Sequence, residues 1–242
     1  MRSWRRYLGA ACAWLLLSPW LAAPSAQTLH VLELHLVLAF DVSASVNDVE
    51  FDLQRHGTAA AQRDPAVARA IRTADGGIAI SIVQWSSIKS QALGLDWHWL
   101  QDADDLRVFA DTVAAMPRRL PGGGTMIHAG LAFAEDQFGT APHVARRQVI
   151  DLSGNGQTDN PEELRAIRDR LLKKGITINA LAIQEDLDDL SDYFYTELIG
   201  GTHSFVITAN DWEDFGRAMQ IKLLREISGA VFSEATLRSR VH

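Results

Sequence analysis

The sequence predicts an α/β fold: a doubly wound, mostly parallel six-stranded sheet with one antiparallel edge strand and helices on both faces. Three observations carry this. Short apolar runs alternate with stretches of helical period along the chain from about residue 30 onward. Several of the runs are apolar throughout, as strands covered on both faces require. One pair of runs, Ile78 to Trp85 and Ile88 to Leu95, is separated only by Ser86-Ser87 and its neighbours, a gap short enough for a hairpin.

The elements follow in order. Val31 to Phe40 is the first strand. From Val46 the period turns helical, with Val49, Leu53, His56 and Ala60 on one face, until Asp64-Pro65 interrupts it near Arg63. A short helix runs through Ile71, Asp75-Gly76-Gly77 makes a turn, and the hairpin strands come next. Asp102 to Met116 is an amphipathic helix with acids in its first turn, where the helix dipole favours them. The loop Pro121-Gly122-Gly123-Gly124-Thr125 leads into a helix from Ile127 to Phe138. Arg146 to Leu152 is a strand that runs out into Ser153-Gly154-Asn155-Gly156. Asn160-Pro161-Glu162-Glu163 reads as an N-cap, a first-position proline and acids of a helix that closes at Lys173-Lys174-Gly175. Ile176 to Ile183 is a strand, Leu187 to Ile199 a helix, Ser204 to Ile207 a short strand and Asp211 to Ile227 the last helix.

A chain of 242 residues that is 47% hydrophobic has enough apolar surface for one domain with a full core. That domain is placed at residues 30–229, with a tail at 230–242. Residues 1–26 have the layout of a secretory signal peptide: Arg2, Arg5 and Arg6, an apolar stretch from Leu8 to Leu17, then small residues from Ala23 to Ala26. The apolar stretch is too short for an ordinary membrane span, so no integral membrane segment is expected after cleavage. The leader carries three arginines and no acid, so its removal takes the formal charge from −7 to −10. A domain this acidic excludes nucleic acid and anionic membranes as expected partners. The one cysteine, Cys12, lies in the leader, leaving no disulfide or thiol chemistry behind it. A periplasmic or secreted location in a bacterium follows.

The first strand ends in Asp41-Val42-Ser43-Ala44-Ser45, a carboxylate and two hydroxyls at alternate positions. In open α/β sheets sites form where strands leave the sheet at their carboxyl ends. Small oxygen ligands suit a hard divalent cation, although the same residues also suit capping of the helix that follows. Two further loops are placed on the same side. Gly123-Gly124-Thr125 lets the backbone approach a ligand and presents one hydroxyl at a helix N-terminus. Ser153-Gly154-Asn155-Gly156 follows the strand Arg146 to Leu152 directly.

Asp41-x-Ser43-x-Ser45, then Gly123-Gly124-Thr125-x-Ile127-x-x-Gly130-Leu131, then a strand ending in a polar residue flanked by glycine, resembles the von Willebrand factor type A (VWA) domain and its metal-ion-dependent adhesion site. Asp41 to Val46, Arg146 to Gly154, Gly175 to Asn179 and Lys222 to Ile227 further resemble an uncharacterised family of exported bacterial VWA-like proteins. The resemblance implies that Ser43 and Ser45 ligate Mg²⁺ (or Mn²⁺ or Ca²⁺) through their hydroxyls, that Asp41 acts through water, and that Thr125 acts directly or through water. It also implies a protein partner presenting an acidic side chain to an open coordination position, since Mg²⁺ takes six oxygens and retains waters. The position that usually carries Asp in the third loop is Asn155, which brings no charge, so weak metal affinity is expected. Asp151 is a candidate additional ligand, with burial as a structural carboxylate the alternative.

Rival functions find less support. A haloacid-dehalogenase-like phosphatase needs an acid/base Asp two residues after its nucleophile, and Ser43 stands there. Neither a Gly-x-Ser-x-Gly elbow nor a phosphate-binding glycine fingerprint is present. An enzyme is therefore not expected, and a VWA scaffold with a non-functional metal site is the alternative among binding proteins. Trp85, Trp97 and Trp99 read more simply as core and edge packing than as an aromatic binding patch.

Overall fold

The computed structural model describes residues 30–229; the leader and tail expected at 1–26 and 230–242 lie outside them. The chain folds as the alternation predicts, into one six-stranded sheet: β1 (Val31–Asp41), β2 (Ile78–Trp85), β3 (Gln91–Leu100), β4 (Val144–Gly154), β5 (Thr177–Ile183) and β6 (Val206–Ala209). The order is β3-β2-β1-β4-β5-β6, with β3 antiparallel to β2 at one edge and every other pair parallel. The order reverses at β1, which lies between β2 and β4. Its carboxyl end is therefore the switch point where such sheets leave a crevice.

Alternate residues of β1 feed two separate cores. Leu34, Leu36, Leu38 and Phe40 belong to one, with α1 (Asp48–Gln62), α2 (Pro65–Thr73), α3 (Ala103–Ala114) and α7 (Phe215–Ser228). Val37 and Ala39 belong to the other, with α4 (Ile127–Gln137), α5 (Pro161–Lys173) and α6 (Leu190–Tyr193). Burial on both faces explains why the strand shows no polar alternation.

Helix starts fall where side-chain caps are available. Asn47 caps α1 and forms a reciprocal capping box with Glu50, and Asn160 caps α5 ahead of Pro161. Three elements differ from the sequence expectation by more than two residues at a boundary. The edge strand runs on through Trp97 and Trp99 to Leu100, because register shifts between Ile80 and Val83 let the ladder continue. The indole N–H groups of Trp97 and Trp99 donate to the carbonyls of Gln137 and Gly76, which fixes them as packing residues. The segment expected as one helix from Leu187 to Ile199 is the single turn α6 followed by a π turn, Phe194–Leu198. The last helix begins at Phe215, since Asp211 accepts from the Asp214 N–H in the preceding turn. Among the described residues, no helix is long and apolar enough to cross a membrane.

Candidate metal centre

The site begins with the register of β1. Asp41 pairs with Trp85 of β2, and Phe40 pairs with Ser153 of β4. The Gln54 amide of α1 donates to the Asp41 carbonyl at 3.1 Å and accepts from the Ser153 hydroxyl at 2.7 Å, joining the ends of β1 and β4 to one helix. Beyond the strand the chain turns at once. The Ser43 N–H donates to Asp41 Oδ1 at 2.7 Å, and the Val46 N–H donates to the Ser43 carbonyl at 3.1 Å. This Asx-type turn sets Ser43 and Ser45 side by side, their hydroxyl oxygens 3.1 Å apart.

The third loop meets them from β4. Asn155 Oδ1 accepts from the Ser45 hydroxyl at 2.7 Å, and its Nδ2 donates to the Ser45 carbonyl at 3.3 Å. Glycine at 154 lets the strand end pass close to Asp41: a Cβ would stand 3.1 Å from its Oδ2. The second loop is tied to the first by the Ala44 N–H, which donates to the Gly123 carbonyl at 2.8 Å. Thr125 packs its side chain towards Gly156, where an added Cβ would lie 3.7 Å from its methyl and 3.9 Å from its hydroxyl. The helix that follows starts at Met126 without a side-chain cap from that residue. Asp41, Ser43 and Asn155 form a buried floor, and Ser45 and Thr125 lie nearer solvent. All five candidate residues thus come from three loops at one end of the sheet.

Electrostatically the floor is incomplete. Asp41 is fully buried, and among the described residues its Oδ2 makes no well-formed hydrogen bond, the Asn155 N–H giving it only a weak attraction. Burial pushes its carboxyl up to about 6, against the hydrogen bonds from Ser43, the attraction of Arg118 and a weaker contribution from the Asn155 N–H. Arg118 does not pair with it; that guanidinium donates to the Leu120 and Val42 carbonyls and to Asp48. An orphaned carboxylate oxygen among hydroxyl and amide oxygens fits a hard divalent cation. Among the described residues, no group of three or more His, Cys, Asp or Glu side chains is placed to hold a metal, so the donors here are mainly hydroxyl and amide oxygens.

Asp151 is not part of this arrangement. It pairs in register with Leu38, so it faces the core on the α1 and α7 side, while Asp41 shares the parity of Val37 and Ala39 and faces the other. Its Oδ1 lies 3.1 Å from Lys222 Nζ, and the residue is a buried structural carboxylate. Asp159, by contrast, was not singled out by the sequence. Its Oδ2 accepts from the Thr125 N–H at 2.8 Å, and its own N–H donates to the Thr125 carbonyl at 3.0 Å. The signal was hidden because Asp159-Asn160-Pro161 reads as a helix start.

A sheet in this order, with these loops at its carboxyl edge, is the VWA fold. Solved structures agree. Proximal thread matrix protein 1 from the mussel byssus matches with a TM-score of 0.59 at 17% identity, over 81% of this chain and 47% of its own. The pilus adhesin SpaC from Lactobacillus rhamnosus GG matches at 0.60 and 12%, over 82% and 31%. The vWF domain of the type V pili tip protein Mfa5 from Porphyromonas gingivalis matches at 0.56 and 12%, over 84% and 98%. The chain therefore spans less than half of the mussel protein and about a third of SpaC, but nearly all of the Mfa5 domain. The mussel protein has also been solved with a zinc-occupied adhesion-site motif. No curated protein matches the chain. Within the VWA fold, the chain belongs to the family described as "Protein of unknown function (DUF1194)", whose profile matches residues 31–231.

Proposed function

We propose that this protein is an exported, periplasmic or secreted binding module rather than an enzyme, and that it recognises a protein partner through a divalent cation, with Mg²⁺ the natural choice. In this reading residues 1–26 are removed on export and the domain at 30–229 does the binding. Ser43 and Ser45 would hold the cation through their hydroxyls and Asp41 through water, with Thr125 and Asn155 completing the protein's share. The cation would supply an electrophilic contact for a carboxylate on the partner. One observation supports the reading: the three loops converge around a buried carboxylate whose Oδ2 makes no well-formed hydrogen bond among the described residues. A hollow of about 970 Å³ opens beside the loops, lined by Ala44 and Gly122, by Arg118 and Arg119, and by the exposed acids Asp48 and Asp52 that pair with Arg118 and Arg55.

Calorimetric titration of Mg²⁺ into the protein, with Ser43→Ala as control, tests this. Saturable binding that Ser43→Ala weakens at least tenfold supports it. A second reading has its own observation: Asn155 and Ser45 satisfy each other through two hydrogen bonds, as a VWA scaffold with a non-functional metal site would. Absence of any Mg²⁺, Mn²⁺ or Ca²⁺ binding would favour that reading, and phosphatase turnover lost in Asp41→Asn would overturn both.

A further inference from the structure

We infer that Asp159 supplies the second negative charge of the candidate cation site, in place of the residue at the end of β4, and that it positions Thr125 in doing so; this rests on the metal-binding reading above. The residue just beyond β4 is Asn155, and both ends of its amide are already engaged by Ser45. If the site held only the Asp41 carboxylate, a divalent cation would keep a full unit of unbalanced charge. Four residues further along the same loop stands Asp159. Its Oδ2 accepts from the Thr125 N–H at 2.8 Å. The Thr125 carbonyl accepts from the Asp159 N–H at 3.0 Å and from the Thr158 hydroxyl at 3.3 Å. Both backbone polar groups of the threonine are therefore held by residues 158 and 159.

Three covalent bonds separate the Thr125 nitrogen from its hydroxyl oxygen, which places the Asp159 carboxylate within roughly 6.5 Å of a candidate ligand. The approach depends on Gly124, where a Cβ would stand 2.8 Å from Asp159 Oδ2. Among the described residues no Lys or Arg forms an ion pair with Asp159, so its charge is not spent on a neighbour. A brace for Thr125 needs only an acceptor, and an asparagine would serve. A carboxylate beside an oxygen-lined cation site adds attraction that an amide does not.

That distinction sets the test. Mg²⁺ is titrated calorimetrically, at fixed ionic strength, into the wild type, Asp159→Asn and the double variant Asp159→Asn with Asn155→Asp. Asp159→Asn keeps the acceptor for the Thr125 N–H, so its thermal midpoint stays within about 2 °C of the wild type. Its Mg²⁺ affinity falls about tenfold, as loss of one screened carboxylate near a divalent cation predicts, and Asn155→Asp in that background restores it. Unchanged affinity in Asp159→Asn would reduce Asp159 to a brace and overturn the inference while leaving the metal site standing. A loss that Asn155→Asp does not restore would also overturn it. If the wild type itself takes up no Mg²⁺, the binding reading fails and this inference fails with it.

Discussion

Asp41 and Asp151 stand on neighbouring strands at the centre of the same sheet, both buried, and meet opposite electrostatic fates. Asp151 faces α7, where Lys222 Nζ lies 3.1 Å from its Oδ1 and 3.5 Å from Glu226 Oε1. Asn179 Nδ2 donates to the same Glu226 oxygen at 2.8 Å, and the ammonium also sits 4.6 Å from the centroid of the Phe205 ring. Two buried acids thus share one internal cation, all three residues being 2% exposed or less. Burial pushes Asp151 up and Glu226 up to about 7, against the pull of Lys222. Asp41, on the opposite face, has a backbone N–H and hydroxyl neighbours but no ammonium or guanidinium in contact. The α7 cluster has a cation of its own, one ammonium between two acids, and ties the last helix to the sheet. The end of β1 is left open, beside residues that reach solvent. A carboxylate buried without a cation is a cost the fold does not need, which is why it points to a cation from outside.

The largest break in this comparison comes from removing the internal cation. Lys222→Met leaves two buried acids facing each other without a positive charge. Unfolding in urea should show a loss of about 3–5 kcal/mol, the usual penalty for breaking a buried pair from one side. A loss below about 1 kcal/mol would mean that the cluster is held by protonated acids and not by the ammonium. Any Mg²⁺ uptake by the folded fraction should be unaffected, since the cluster faces the other side of the sheet.

Asp41 behaves in the opposite sense. Its carboxyl lies near 6 in the folded protein and near 3.8 when free. Between those values the unfolded chain has lost the proton and the folded one retains it. Stability without metal therefore falls as pH rises through that window, by up to about 3 kcal/mol for a shift of this size. Asp41→Asn removes this dependence. At pH 7.5 in chelator the variant should be about 1–2 kcal/mol more stable than the wild type, the remainder being lost because the new amide N–H has no acceptor where Oδ2 stood. Mg²⁺ should stabilise the wild type and leave the variant unmoved. A variant less stable than the wild type in chelator would show that Asp41 is structural.

Much of this contrast could be read from the chain, and the reasons for the rest are specific. Asp41, Ser43 and Ser45 were legible because an apolar run ends abruptly at them, and Thr125 because glycines precede it. Asp151 was ambiguous because β4, like β1, is buried on both faces over its second half, so no polar alternation reveals which way its carboxylate points. Lys222 was invisible, since a lysine on an amphipathic helix is ordinarily a solvent-facing residue, and only the packing of α7 encloses it completely. Asp159 was masked by a second valid meaning, the approach to a capped helix. The register shift that extends β3 is a property of the strand pair and leaves no mark on either strand alone.

The smallest change bears on how far the open site can be closed. Asn155 stands where a carboxylate would bring a cation a further charge, yet here it accepts from the Ser45 hydroxyl at 2.7 Å. Asn155→Asp preserves that acceptor and its size, and loses only the 3.3 Å donation to the Ser45 carbonyl. Without metal, the new carboxylate sits at the same loop cluster as Asp41, so like-charge repulsion should lower stability slightly, by about 0.5–1 kcal/mol. With metal, the added charge should raise Mg²⁺ affinity about tenfold, or about 1.4 kcal/mol. The variant is thus expected to be weaker than the wild type in chelator and stronger in Mg²⁺, a crossing seen by running both melts side by side. If the order is the same in both conditions, the open carboxylate of β1 is not awaiting a cation, and the contrast with the Lys222 cluster loses its functional meaning.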